Sequence, residues 1–537
     1  MQQDAQVATP SGAQSLIEKL TAIVGADNVR TDEATRRLVS EDIWMPGPAV
    51  VALVVAPGST KELIAAVAEA HAAGFAIAPR GAGMSYTGGY VPATDRTISL
   101  DMSRMNRILR ISREDMTVTV EAGTNWKDMN DALAAEGLRT PFWGPMSGLT
   151  STIGGGLSQL NAMFGAGQWG TSSESVVALT VIASDGTVIR TGARGPDGDT
   201  PHYRHFGPDL TGLFCGDCGT LGIKAEVTMR LITAPAFEDS ASFSFPSGEA
   251  LLLAMAEYAR RGIGAETCAF DPGLTGMRMK RMSIASDVKT LGAVVAKEKS
   301  LGKGLLSAAR IALGGRNFIA PTDYPFHLTC EGRSKAAVEA DMAEARRIAA
   351  QFGGTEIENS IAKILRAMPF PPLNSMVGPT GEAWIPVHGV CSLSTAPKIF
   401  AEIQSLYDSR RGEMETLDID TGFLFSSMAS NALIIEPVYF WPQGWRPVHE
   451  SAIEPSHLAR LEKRPENPEA TALVVELRKA VVGIFARYGT GHFQIGRTYP
   501  YRESRDDLSK TLLDTIKGVM DPDGVFNPGV LGFPVKG

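Results

Sequence analysis

Residues 491–504 read GHFQIGRTYPYRES and crowd His492, Arg497, Tyr499 and Tyr501 into one short run. An arginine can clamp a carboxylate in a bidentate fashion or lower a phenol's pKa, and a tyrosine or histidine can take a hydroxyl proton. The same residue types also serve as a surface ion pair (Arg497) or as packing (His492 and the tyrosines), and the run by itself leaves both open. A second candidate is made of backbone. Residues 78–90, APRGAGMSYTGGY, set Gly81, Gly83, Gly88 and Gly89 beside Arg80, Ser85 and Thr87. Glycine permits positive φ and leaves no Cβ in the path of an approaching group. Two readings stand: a tight exposed turn, or a nest of N–H groups holding a pyrophosphate, with Arg80 adding charge and Ser85 and Thr87 adding hydroxyls. A dinucleotide fingerprint fails, because the run from Gly81 to Tyr86 lacks the third glycine and a strand-like run follows it. No Gly-Lys-Ser/Thr closes the loop as a P-loop would. Residues 144–170, GPMSGLTSTIGGGLSQLNAMFGAGQWG, are too long and too rich in Gly, Ser and Thr for a simple turn, and ordered loops of that length are usually functional. A third cluster, LFCGDCGTLGI (213–223), leads into a strand. Several such loops suggest one large phosphate-bearing ligand held from more than one side. Cys215 and Cys218 form C-x-x-C, which reads as a redox dithiol, half a zinc site or chance spacing.

Elements must hold these groups in place. The 537 residues exceed one ordinary core, so two domains are expected. A net charge of −8 argues against a nucleic-acid surface and a polybasic membrane anchor. Five cysteines suit a reducing compartment better than a disulfide framework. The polar start MQQDAQVATPSGAQ lacks a basic segment followed by an apolar run, and no window is apolar enough to span a bilayer, so a cytoplasmic protein without signal peptide or transmembrane segment is expected. Residues 12–24, 59–74 and 125–137 read as helices, the second with a Ser/Thr cap and the last two with glycine stop signals. Residues 49–57 and FAIAPRG read as strands, giving a βαβ-like unit that runs into the first glycine loop. Residues 176–192 read as a hairpin turning at Asp185-Gly186. Beyond residue 236 the segments lengthen: helices at 334–352 and 466–489, strands EAWIPVHGVC (382–391) and NALIIEPVYF (431–440), and a closing helix before MDPDGVFNPG.

Together, PRGAGMSYTGG, MNRILRISREDMTVTVEAGTNWKDMNDAL, STIGGGLSQLNAMFGAGQWGTSSESVVALTVIASDGTVIRTG and DLTGLFCGDCGTLGIKAEVTMRL resemble the FAD-binding domain of the vanillyl-alcohol oxidase/p-cresol methylhydroxylase flavoproteins, including their D-lactate and glycolate dehydrogenase branch. The resemblance spans most of 45–235, weakens through 236–480 and returns at 490–532, where MDPDGVFNPG looks like the family's closing motif. It implies an α+β fold: a two-subdomain FAD-binding domain (1–235), an α+β cap or substrate domain with an antiparallel sheet (236–490), and a C-terminal segment (491–537) returning to the FAD domain. By the same resemblance Pro79, Arg80, Gly81, Ala82, Gly83, Met84 and Ser85 face Pro145, Ser151, Thr152, Ile153, Gly154 and Gly155 across the pyrophosphate. Asn161 joins that set, Gly222 and Ile223 lie toward the adenine, and Asn527 lies near the flavin.

Family members with covalent flavin often carry a histidine in the first loop, about where this chain has Met84, or a cap-domain histidine or tyrosine. LFSSMASN, before ALIIEPVYFW, has neither, so non-covalent FAD is expected. The hydroxy-acid branch often carries a His-x-Gly-Asp-Gly-Asn-x-His metal motif. LIIEPVYFWPQGW stands at the comparable place without a histidine pair, so no metal is expected. Arg497 falls where the phenol-oxidising branch binds substrate oxygen, but that branch's acid is not evident, its place falling near Thr171. His388, in WIPVHGV, lies on a cap strand expected to face the flavin. Trp441 and Trp445 suit an aromatic pocket or the core. The implied activity is an FAD-dependent dehydrogenase or oxidase taking a hydride from the C–OH carbon of a small alcohol or 2-hydroxy acid. The alternatives are a para-substituted phenol oxidase or hydroxylase and a flavin electron-transfer subunit. The implied partners are a small-molecule substrate, an electron acceptor (cytochrome, quinone or O2) and a second copy of the chain in a homodimer.

Overall fold

A computed structural model describes residues 10–195, 200–281 and 323–535, so most of the N-terminal stretch read for a signal lies outside the described residues. The first layer is a four-stranded sheet in the order Val29–Arg30, Leu53–Val55, Thr97–Asp101, Ala76–Arg80, with its last three strands parallel. Helix Thr60–Ala72 covers it. Ser59 caps this helix by accepting the Glu62 N–H at 3.2 Å, and Leu63, Ala66, Val67 and Ala70 form the buried stripe that helical spacing predicts. Helix Ala13–Val24 packs on the same core. A second, five-stranded antiparallel sheet follows in the order Ile108–Ser112, Thr117–Glu121, Ile223–Arg230, Val176–Ile182, Val188–Arg190. The turn at Asp185-Gly186 closes its edge hairpin, with Asp185 Oδ1 accepting the Thr187 N–H at 2.8 Å. Thr97–Asp101 pairs in the first sheet, while Ile108–Ser112 and Thr117–Glu121 pair with each other in the second.

From Phe237 the chain builds an eight-stranded antiparallel sheet in the order Thr355–Ile357, Phe237–Phe245, Tyr324–Gly332, Glu266–Phe270, Asp420–Met428, Ala432–Trp441, Ala383–Pro386, with Gly389–Ser392 also pairing to Ala432–Trp441. Helices Gly248–Arg261, Lys335–Gln351 and Ala396–Ser409 bury one face, and the fold is α+β. Strand alternation assigns the sides. Along Ala432–Trp441, Leu433, Ile435 and Tyr439 point to the helices, where Tyr407 Oη donates to Tyr439 Oη at 2.7 Å; Ile434, Glu436, Val438 and Phe440 point the other way, into a cavity.

Two sequence expectations change. Residues 144–170 are not loop throughout, because they hold helices Ile153–Gln159 and Ala166–Trp169. Thr152 Oγ1 accepts the Gly155 N–H, and complete burial of Ile153 and Leu157 outweighs the poor helix propensity of three glycines. EAWIPVHGVC is two strands, since at the break the His388 N–H leaves the ladder and donates to Tyr499 Oη at 2.8 Å.

The C-terminal tail lies along the first sheet: Ile77 N–H donates to Val525 O at 2.8 Å and Asn527 N–H donates to Ile77 O at 2.9 Å. Lys517 fastens it from below, its buried ammonium donating to Thr220 O (2.7 Å), Asp521 Oδ2 (2.6 Å) and Phe526 O (3.1 Å). Asp521 in turn accepts the Val525 and Phe526 N–H groups. Removing one member of a buried pair strands the other charge. Lys517→Met is therefore expected to lower the unfolding free energy by about 3–5 kcal/mol, measured as a fall in urea midpoint at unchanged m-value.

Candidate active site

The glycine loops and the bare face of the cap sheet enclose a cavity of about 660 Å³. Residues Pro79 through Ser85 line one end, with Pro145, Ser151, Thr152, Gly154, Gly155 and Asn161 across from them and Gly222 and Ile223 beside them. Among the described residues, the N–H groups of Gly81, Ala82, Gly83 and Met84 have no protein acceptor. Gly83 sits at φ +72°, a conformation that favours glycine and turns the backbone of this loop. Such a run of unspent donors is a ready anion cradle. On the opposite side the donors are used internally: Ile153 N–H goes to Thr124 O, Gly154 N–H to Ala122 O and Gly155 N–H to Thr152 Oγ1. Gly154 contributes close approach instead, since a Cβ there would stand 2.7 Å from Ala122 Cβ. Ser147 and Ser151 bring hydroxyls to the same wall.

Several expected cofactor contacts have other positions. Arg80 lines the cavity, but its guanidinium donates to Val39 O (3.2 Å) and Glu41 O (3.3 Å) and lies over the Tyr90 ring, so it braces the loop. Ile153 is fully buried behind the wall. Asn527 is buried as well, its amide donating to Gly89 O (2.6 Å) and Cys218 O (2.7 Å), so it ties two glycine loops together from behind.

All five expected catalytic residues lie off the cavity wall. Arg497 donates to the carbonyls of Gly88, Val91 and Pro528, and burial pushes its pKa down to about 10; it is a brace between loops and not a substrate clamp. His388 is fully buried, stacked on Phe493 at 3.7 Å, with Nε2 on Phe493 O. His492 stacks on Tyr499 at 4.0 Å and bonds His388 O through Nδ1 at 2.8 Å. Tyr499 accepts the His388 N–H, and Arg505 lies over the Tyr501 ring. Trp441 and Trp445 spend their indole N–H groups on Thr471 and Glu450 inside the core. Thr171 bonds Ser173 away from the cavity. Cys215 and Cys218 are unlinked, with thiols pushed up to about 11 and about 12 by burial, and Cys218 Sγ accepts the Gly496 N–H.

Tyr86, Gln494 and Glu436 are among the side chains that line the cavity. Gln494, at φ +50°, spans two residues: its Nε2 donates to Tyr86 Oη at 3.0 Å and its Oε1 accepts from Ser85 Oγ at 3.2 Å. With that bond accepted, the Tyr86 proton is left to donate elsewhere. Burial, and next the charge of Glu436, hold the Tyr86 phenol well above its usual pKa, so it stays protonated. Glu436 was legible: it is the charged residue of ALIIEPVYFW, in phase with Ile434, Val438 and Phe440. Tyr86 lies inside the glycine loop, whose residue types point to backbone chemistry and give its phenol no signal of its own.

Residues 51–192 match the family model described as FAD binding domain. The mitochondrial D-lactate dehydrogenase (cytochrome) 1 of Saccharomyces cerevisiae is 31% identical over 195 residues, which is 36% of this chain and 32% of that protein. The glycolate oxidase subunit GlcD of Bacillus subtilis is 33% identical over 220 residues, 41% of this chain and 45% of that protein. The aligned stretch thus spans less than half the length of either relative. Across 98% of both chains the fold matches that of p-cresol methylhydroxylase with substrate bound, at a TM-score of 0.72 and 15% identity. The matched domain and the unspent N–H cradle define a protein that holds FAD. Residues 51–192 thus carry an FAD binding domain, in a chain whose fold is that of p-cresol methylhydroxylase. No helix among the described residues is long and apolar enough to cross a membrane, and no metal-ligand cluster occurs among them.

The buried histidines behind the wall carry a pH signature. Burial pushes His388 down to about 3 and His492 to about 4. The unfolded chain protonates both from about pH 6.5 downward while the folded chain does not, so their contribution is complete above about 6.5 and is lost as pH falls, by up to about 1.4 kcal/mol per pH unit for each. Urea midpoints at pH 7 and pH 5 are expected to differ accordingly. A His388→Gln/His492→Gln double variant should narrow that difference, leaving the part due to His449, which burial also pushes down, to about 4.

Proposed function

We propose that this chain is an FAD-dependent oxidoreductase that oxidises a C–OH carbon, with Glu436 receiving the hydroxyl proton and Tyr86 holding the hydroxyl oxygen. The observation that carries this reading is that an acid from the cap sheet and a protonated phenol from the first glycine loop open into the cavity that the cofactor loops line. FAD, when bound, supplies the acceptor for the hydride. The N–H groups of Gly81–Met84 would hold its pyrophosphate, and Gly222 and Ile223 would flank its adenine.

Gln494 fixes the Tyr86 hydroxyl, so the Tyr86 proton can point at the substrate oxygen. A carboxylate is the stronger base of the pair, since Tyr86 is held protonated. The carbinol hydrogen leaves as hydride, the hydroxyl proton goes to Glu436, and a carbonyl product results. The surrounding apolar wall excludes water and strengthens both polar contacts. Met84 stands in the loop where the resembling family often carries a tethering histidine, and non-covalent FAD is part of this reading.

In anaerobic stopped-flow, Glu436→Gln is expected to slow flavin reduction by about 10²–10⁴-fold, and Tyr86→Phe to slow it less; a Glu436→Gln rate equal to wild type overturns the assignment. Acid precipitation of the holoprotein is expected to leave the yellow colour in the supernatant, and colour in the pellet overturns the non-covalent reading.

A further inference from the structure

We infer that one edge of the Arg478 guanidinium is a site for a single small monovalent anion, of halide or formate size, seated behind the wall that carries Tyr86. Arg478 lies on helix Pro468–Arg487 and is 6% exposed. Two of its nitrogens, Nε and Nη2, are buried without a hydrogen-bond partner. They are neighbouring donors on one edge of the planar group, the pair that suits a two-point acceptor. Arg204 shows the same edge in use: its Nε donates to Asp209 Oδ1 at 3.1 Å and its Nη2 to Asp209 Oδ2 at 2.8 Å. At Arg478 that edge is presented and no carboxylate meets it.

An unpaired buried cation costs free energy, and burial pushes the Arg478 pKa down. The side chain is nevertheless held in place. Its guanidinium lies over the Trp44 ring, 4.4 Å from the centroid, which covers one face of the group and leaves the edge open. Its helix is fastened to the cap strand two turns earlier, where Thr471 Oγ1 accepts the Trp441 indole N–H at 2.9 Å. Seven residues on, Arg478 falls on that same helix face. The phenols on which its charge bears are Tyr439, Tyr499 and Tyr86. Tyr439 Oη accepts from Tyr407 Oη and Tyr499 Oη accepts the His388 N–H, so each keeps its own proton to give. Asp42 also bears on Arg478, but its oxygens already accept the N–H groups of Trp44, Met45 and Gly88. A water molecule at the open edge would accept both N–H groups and leave the cation uncompensated. A small anion satisfies the donors and cancels the charge.

The test uses the FAD-loaded protein, so that the phosphate cradle is filled. At constant ionic strength, sodium gluconate, too large to seat at a buried edge, is replaced stepwise by sodium bromide or sodium formate. The unfolding constant is expected to fall about tenfold for each tenfold rise in bromide or formate once the site is mostly occupied, read as a rising urea midpoint at unchanged m-value. Arg478→Met removes the charge and keeps an unbranched side chain. Its midpoint should not respond to either salt, and in gluconate alone it should equal or exceed that of wild type. Crystals of the wild-type holoprotein soaked in bromide or in formate should show the ion beside Arg478 Nε and Nη2, a measurement that needs no variant. A response to one ion and not the other supports the site and fixes which ion it takes. A midpoint that responds to neither salt, a response of equal size in Arg478→Met, or an edge holding only water in both soaks overturns it.

Discussion

The cofactor end of the cavity depends on carbonyl groups being held by buried side-chain donors. Four segments distant in sequence meet there: the first glycine loop, the Cys218 loop, the run after Gly491 and the closing Asn-Pro-Gly. None has a continuous hydrogen-bond ladder of its own, so each exposes carbonyls that need partners. Arg497 takes those of Gly88, Val91 and Pro528, and Asn527 takes those of Gly89 and Cys218. Lys517 takes those of Thr220 and Phe526. The N–H groups of Gly81–Met84, by contrast, have no acceptor among the described residues, while Tyr90 Oη donates to Gly83 O at 2.6 Å.

A second buried network fixes the wall opposite. Arg366, at the end of the helix that supplies Ile361, Ile364 and Leu365, bonds Glu238, Glu266 and Glu331. Glu331 also binds Arg139, beside the second sheet, and Glu266 accepts the Trp143 indole N–H at 3.1 Å. Both guanidinium groups lie near the Trp143 ring, at 5.0 and 5.5 Å. These ions are largely desolvated, so their value is less in stability than in geometry: breaking any one leaves an unpaired charge inside. The apolar wall is consequently held against the glycine-loop side by directional contacts, and its shape is defined rather than fluid.

The sequence carried most of the architecture because its signals were local. Caps at Ser59, Asn125 and Ser334, the Asp185-Gly186 turn and the buried stripe of helix Thr60–Ala72 each act within a few residues. The glycine loops were legible for the same reason, since close backbone approach demands a residue type. The reacting groups were less so. Arg497 has the right chemistry for a clamp, and only three-dimensional packing decides whether its five donors meet a substrate or backbone carbonyls. His388, His492 and Tyr499 form a stacked cluster behind the wall, which residue type cannot distinguish from a site in front of it. Glu436 could have been found by period-2 phasing, because a carboxylate in the register of Ile434, Val438 and Phe440 has either a partner or a function.

That placement explains why the two halves of the chemistry come from different sheets. A glycine-rich loop can approach a phosphate closely, but it has few side chains with which to move a proton. A fully paired strand such as Ala432–Trp441 holds a side chain to within a rotamer, yet its N–H groups are committed to the ladder. On the proposed reading the loop holds the phosphate and carries Tyr86, and the strand carries Glu436. Tyr86 can stay precise there because Gln494 grips its hydroxyl and Trp384 and His388 pack edge-on against its ring at 5.7 and 6.2 Å. His388 bears on Tyr86 without lining the cavity: its neutral, fully buried ring is part of the surface that sets the angle of the phenol.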